Sequence, residues 1–198
     1  MTAQKKSELR RHLRRLRRDL PAAERAAATR VINNQLKRHI KRGKKIGVYW
    51  AIGTELDVGT FIQTALQRGA QPYLPYIERK TRRMWFTPYT GEKGQQAERK
   101  RNGLKVYIPQ FAGRKTRVHN LDLLLIPLVG IDRQGYRIGQ AGGFYDATLS
   151  AMQHRRQTRT LGVGFHCQLV EEIPREAHDL PLNGFLSERG TLRFRRER

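Results

Sequence analysis

The sequence predicts an α/β fold in three layers, α/β/α, with helices on both faces of a largely parallel central sheet and N-terminal helices preceding the first strand. Three observations carry this expectation. From residue 46 onward, short β-type runs alternate with helical spacings, the pattern that parallel crossover units produce. The run Leu121-Asp-Leu-Leu-Leu-Ile-Pro127 is apolar on both faces, as suits a central strand covered on two sides. With 198 residues and 38% hydrophobic side chains, the chain can form one sizeable core. It is read as a single domain over 1–198: a basic helical arm at 1–45, an α/β core at 46–190 and a basic tail at 191–198.

Residues 5–18 place Leu9, Leu13 and Leu16 at i, i+4 and i+7, an amphipathic helix with a narrow apolar stripe. Leu20-Pro21 ends it. Pro21 suits the first turn of a second helix, with Glu24 favourable near its N-terminus. That helix runs through an Ala-rich stretch to about Ile40 and stops before Gly43. Ile46–Ala51 is a short β-type run, followed by a loop at Gly53–Asp57. Val58, Phe61, Ile62, Ala65 and Leu66 have helical spacing, closed at Gly69. Pro72–Ile77 and Met84–Tyr89 return to strand composition. Residues 90–118 read as a surface connection with one short strand at Lys105–Ile108. The buried strand at Leu121–Pro127 leads into a Gly-rich loop, and a helix starts near Gly143. Thr160–Phe165 is the last expected strand, and 171–198 reads as loop with a basic end.

Charge narrows the partners. The chain carries 40 Lys+Arg against 17 Asp+Glu, a net charge of +23. Residues 1–45 account for +13 and residues 79–117 for +10, while 46–78 and 118–150 stay near neutral. Such a distribution favours anionic partners: phosphates, polyanionic small molecules or nucleic acid. No run approaches the roughly 20 apolar residues of a membrane span, and no apolar leader core follows Met1, so the expected location is the cytoplasm. The lone Cys167 excludes a disulfide framework and a Cys-based zinc site, and reads as a buried, inert thiol. His12, His39, His119, His154, His166 and His178 lack metal-ligand spacing, and no serine sits in a nucleophile elbow.

The most informative stretch runs from Ile126 to Asp146. A buried strand enters a loop holding Gly130, Gly135, Gly139, Gly142 and Gly143, and then a helix. Glycines let backbone N–H groups approach an anion, and a helix N-terminus favours negative charge. Arg137 is a permanently charged phosphate partner, and Asp146 stands one turn into the helix, where a carboxylate could hold Mg²⁺ beside phosphates. The chemistry fits either an anion cradle or a tight Gly-rich turn with an N-terminal helix carboxylate. Neither a dinucleotide fingerprint nor a Walker sequence is present.

This stretch resembles the signature of the 5-formyltetrahydrofolate cyclo-ligase (5,10-methenyltetrahydrofolate synthetase) family. Pro127, Asp132, Gly135, Arg137, Ile138, Gly139, Gly143, Phe144, Tyr145, Asp146 and Leu149 meet it. Lys6-Ser-Glu-Leu-Arg10, Glu55-Leu-Asp57, and Gly164–Gln168 with Pro174 and Asp179 resemble three further family motifs in order and spacing. The resemblance implies an ATP-dependent ligase that cyclises 5-formyltetrahydrofolate, with or without a polyglutamate tail, to 5,10-methenyltetrahydrofolate, releasing ADP and phosphate. It implies ATP contacts from Lys6, Arg10, Arg137, Ile138, Gly139, Gln140, Ala141, Gly142, Gly143, Phe144 and Tyr145, with Arg137 and Tyr145 catalytic. It implies folate contacts from Trp50, Glu55, Gly142, Gly143 and Phe144, and magnesium carboxylates at Asp146 and Asp179. A monomer is expected. Ala141 departs from the family pattern by replacing a glycine, where a Cβ obstructs positive φ, and Ile131 replaces the usual Phe. Two other readings keep part of the chemistry: a folate- or nucleotide-binding relative without the reaction, and a basic nucleic-acid-binding protein. No recognition-helix, RNP, KH or zinc-finger pattern supports the latter, so no specific nucleic-acid or membrane partner is expected.

Overall fold

The computed structural model describes residues 2–77, 83–91, 96–101, 104–109, 114–140, 142–151, 158–176 and 179–194. Helices α1 (Thr2–Asp19) and α2 (Ala22–Leu36), with a 3₁₀ turn at Lys37–His39, precede β1 (Lys45–Gly47). Then follow α3 (Gly59–Gln67), β2 (Gln71–Ile77), β3 (Met84–Pro88), β4 (Gln96–Arg101) and β5 (Leu104–Pro109). The second half contains β6 (Leu123–Pro127), β7 (Gly130–Asp132), β8 (Arg137–Ile138), α4 (Phe144–Ser150) and β9 (Arg159–Val163). It closes with β10 (Leu169–Val170), β11 (Gly184–Ser187) and β12 (Gly190–Arg193).

Seven strands form the main sheet in the order β12-β11-β9-β6-β1-β2-β3. Its five inner strands are parallel, and antiparallel β12 and β3 close the two edges. Alternation along β6 fixes the layers. Leu123 and Leu125 face one cluster with Ile32 and Leu36 of α2 and Phe61, Ile62 and Ala65 of α3. Leu124 and Ile126 face another with Phe86, Phe185 and Leu149 of α4. Both faces of this strand are therefore buried, which is why it lacks the apolar–polar alternation of a half-exposed strand. No helix among the described residues is long and apolar enough to cross a membrane.

Three expectations need correction. The stretch 171–198 is not all loop: Gly184–Ser187 and Gly190–Arg193 form an antiparallel pair that completes the sheet. Both strands are only four residues long, too short for periodicity to register. The connection 90–118 holds a hairpin, β4 paired with β5, rather than one strand. The Gly-rich loop contains two short strands, which with β10 make a three-stranded sheet in the order β10-β7-β8.

The face of α1 also differs. Leu13 is buried but Leu16 is 40% exposed, and the other buried residues of this helix include Lys6 and Arg17. Positions 6, 13 and 17 share one helical face, rotated away from the leucine stripe. Charged groups on the body of the protein receive that face. Cys167 is half-buried rather than buried, and burial, the largest influence, raises its thiol pKa. Ala141, His154, His178, Arg79, Lys80, Arg82, Lys93 and residues 195–198 lie outside the described residues.

Candidate active site

The loops that follow the carboxyl ends of β1, β6 and β9 converge where open α/β sheets place their ligands. α1 lies across them. Leu13 packs with Val129, Ile138 and Ile173, and Gly130 makes room for it, since a Cβ there would run into the Leu13 side chain. Arg17 Nε donates to Thr54 Oγ1 at 3.1 Å and Nη1 to the Leu128 carbonyl at 3.4 Å. This helix is thereby bonded to the loop after β1 and to the segment after β6.

Closer to the N-terminus, the same face presents Lys6 and Arg10 to the cleft. Lys6 Nζ lies 2.7 Å from Asp179 Oδ2 and 3.0 Å from Glu176 Oε2. Burial alone would lower the Lys6 pKa, but the hydrogen bonds and charges of Asp179 and Glu176 outweigh it and hold the ammonium above its ordinary value. Arg10 Nε donates to the Gly139 carbonyl at 3.1 Å. Both N-terminal candidates thus meet the two C-terminal motifs.

Arg137 stands at the centre. Its side chain is 3% exposed. Nη2 donates to Asp146 Oδ1 at 2.5 Å and Nη1 to the Leu180 carbonyl at 3.2 Å. Burial lowers its pKa, while the charges of Asp146 and Asp179 oppose that shift, so both carboxylates lie within electrostatic reach of one guanidinium. Asp146 is held through Oδ1 and remains 31% exposed. Among the described residues, no group of three His, Cys, Asp or Glu side chains converges to hold a metal by itself. A pair of carboxylates still fits Mg²⁺, which takes one or two such oxygens and completes its shell with water and substrate phosphates.

The rest of the Gly-rich stretch behaves unevenly. Gly143 has φ 64° and begins α4 in the left-handed region, a conformation that glycine adopts without a Cβ penalty. Phe144 and Tyr145 are half-buried and pack on the cluster beneath, and Ile138 is 2% exposed. Tyr145 is close enough to influence both the Tyr49 phenol and Arg137 electrostatically. Its place is in the first turn of α4.

In the loop after β1, Glu55 accepts from the Ile52 N–H at 3.1 Å and from Gln140 Nε2 at 3.1 Å. This joins the folate candidate to the nucleotide candidate. Trp50 meets Tyr89 edge-on, with ring centroids 6.0 Å apart, and packs half-buried against the first cluster. The structure therefore assembles Lys6, Arg10, Arg137, Asp146 and Asp179 in one network and ties Glu55 to it through Gln140.

Several supporting residues received no role from motif reading, although Asp132 and Gln168 stand within the motifs. Glu176 pairs with Lys6. Asp132, fully buried, accepts from the Gln134 and Tyr136 N–H groups at 2.9 Å each and from Ile173 at 3.3 Å. Gln168 donates to the Leu128 and Val129 carbonyls and accepts from the Phe165 N–H. Arg17 carried one usable signal: it lies four residues after Leu13 and so follows the buried face of the helix.

The sequence profile of the 5-formyltetrahydrofolate cyclo-ligase family matches residues 2–188. The 5-formyltetrahydrofolate cyclo-ligase of Haemophilus influenzae is 28% identical over 186 residues, covering 92% of this chain and 97% of its own. The Escherichia coli protein of the same name is 35% identical over 139 residues, 69% of this chain and 74% of its own. Among solved structures, the NMR structure of Aquifex aeolicus 5,10-methenyltetrahydrofolate synthetase superposes with a TM-score of 0.77. It is 25% identical and covers 98% of this chain and 94% of that one.

Proposed function

The chain belongs to the 5-formyltetrahydrofolate cyclo-ligase family, and we propose that it performs that reaction in the cleft under α1. It is a ligase that consumes ATP to convert 5-formyltetrahydrofolate to 5,10-methenyltetrahydrofolate. The formyl oxygen takes the γ-phosphoryl group and ADP leaves. N10 then adds to the activated carbon, and phosphate departs with that oxygen as the ring closes. A formamide oxygen is a poor leaving group, and phosphorylation removes that obstacle without a covalent enzyme intermediate. Catalysis of this kind is mostly positioning and charge neutralisation.

The network around Arg137 supports this reading most directly. Lys6 and Arg10 reach the phosphates from α1, with the segment Arg137–Tyr145 beneath them. Arg137 faces inward, so its contribution is to hold Asp146 in place and supply buried positive charge. Tyr145, in the first turn of α4, orients the formyl end against the nucleotide. Trp50 and Glu55 receive the folate, together with Gly142, Gly143 and Phe144. The Glu55 carboxylate pairs with adjacent N–H donors of the pterin, displacing Gln140. Asp146 and Asp179 are the residues that would hold Mg²⁺, which supplies charge neutralisation on the transferred phosphoryl group.

Protein mixed with MgATP and 5-formyltetrahydrofolate is expected to produce the methenyl absorbance, and to lose it without ATP or in excess chelator. Glu55→Gln is expected to raise the folate KM about tenfold or more while the ATP KM stays within about twofold. Equal turnover in chelator removes the metal assignment, and a selective rise in the ATP KM moves Glu55 to the other half of the cleft.

A further inference from the structure

A second concave site lies at the opposite end of the parallel strands of the main sheet. It encloses about 470 Å³ and is lined by Arg38, His39, Lys41, Lys44, Arg159 and Arg193, over Ile46 and Leu123. Lys45, Leu123 and Arg159 begin β1, β6 and β9, so the cavity opens at the amino ends of the parallel strands. The cleft described above lies beyond their carboxyl ends.

The charge balance here is lopsided. Asp122 is the one carboxylate among the lining residues, and it is engaged by Lys44 Nζ at 2.8 Å and the Lys45 N–H at 2.9 Å. Arg38, Arg159 and Arg193 face the cavity with no carboxylate within ion-pair distance among the described residues. Arg38 is held in place by a hydrogen bond to Thr191 Oγ1, and its Nε lies 3.4 Å from His39 Nε2, which accepts. His39 registers the field: burial first, then the charges of Arg159, Arg38 and Arg193, lower its pKa to about 4. Cations gathered from the turn after α2, the approach to β1, and the ends of β9 and β12 repel one another unless an anion sits among them.

We propose that this cavity binds a small phosphate-bearing polyanion, either a free polyphosphate or the phosphate chain of a nucleotide, at a site separate from the catalytic cleft. Guanidinium groups match phosphate oxygens in geometry and stay charged, and the volume falls in the range of small-molecule sites rather than of extended polymer grooves. None of the lining residues belongs to the catalytic network.

His39 provides a local readout that the catalytic cleft does not share. In a titration of the whole protein followed by histidine NMR at 0.15 M salt, sodium tripolyphosphate is expected to shift the His39 imidazole and raise its pKa. Bound negative charge offsets Arg38, Arg159 and Arg193, while Lys41, Lys44 and Asp122 complete the surrounding charges. The Arg38→Gln/Arg159→Gln/Arg193→Gln variant is expected to lose at least about tenfold in tripolyphosphate affinity at that site, with kcat and the ATP KM unchanged. A non-hydrolysable ATP analogue that binds more tightly than tripolyphosphate assigns the nucleotide source, and equal binding assigns the phosphate chain alone. The proposal fails if His39 is unmoved at millimolar tripolyphosphate, or if equimolar sulfate matches the shift. It fails equally if a mixed-sequence RNA binds more tightly with a footprint running beyond the cavity, which indicates a diffuse cationic surface.

Discussion

Arg137 and Asp146 form an ion pair whose cationic side is sealed from water, and such pairs are costly to break by halves. Arg137→Met leaves Asp146 without its guanidinium and is expected to destabilise the fold by about 3 kcal/mol, measured by urea unfolding. The double variant Arg137→Met/Asp146→Leu is expected to recover part of that loss, because no uncompensated charge remains. His39 makes the opposite kind of statement. Its folded pKa of about 4 lies below the ordinary 6.5, so between those values the unfolded chain binds a proton that the native chain refuses. Stability therefore falls as pH drops from 6.5 towards 4. His39→Gln is expected to flatten unfolding midpoints across that window, and an unchanged slope would mean that His39 protonates freely in the fold.

At the scale of elements, α1 lies over the candidate site, and its seat is one glycine. Gly130→Ala drives a Cβ into Leu13 and brings it to 3.4 Å from the Gln168 carbonyl, so the helix must shift and carry Lys6 and Arg10 with it. The expected outcome is an ATP KM raised severalfold with the folate KM nearly unchanged, measured by steady-state kinetics. Which elements were legible in the sequence follows from their length and chemistry. Leu123–Pro127 and Gly59–Gln67 announced themselves because burial dictates every position on a strand covered twice and on a packed helix face. Gly184–Ser187 and Gly190–Arg193 are too brief to show a period, and their partners are set by the finished sheet. In the candidate site, Lys6, Arg10, Arg137, Asp146 and Asp179 could be named from their motifs. The cation-bearing face of α1 could not, because leucine spacing points to Leu16 and only the distant Glu176 and Asp179 explain why Lys6 turns inward. Likewise Gln140 and Glu55 each carried a motif, but nothing local says that they touch.

For the whole molecule, the net charge of +23 exceeds what the cleft can use. Part of the surplus is structural. Arg117 stacks over Trp85 at 3.3 Å and Lys115 over Tyr76 at 3.8 Å. Neutralising Arg114, Lys115 and Arg117 together is expected to cost about 1–2 kcal/mol of stability through those stacked pairs while leaving kcat within about twofold. The same variant is expected to lower kcat/KM for polyglutamylated folate at low salt. The difference should shrink near 0.15 M, where the screening length is about 8 Å, and a large salt-independent fall in kcat would place these residues in the site. The bond from Lys6 to Asp179 spans 173 positions of the chain, and that separation has a temporal side. A polypeptide emerges from the ribosome amino end first, so α1 is made long before the carboxylate that secures it. Until then this arginine-rich helix carries its charge without Glu176 and Asp179, the carboxylates that receive Lys6 in the fold. The seat of α1 over the candidate cleft is therefore completed only after the segment carrying Asp179 has been made.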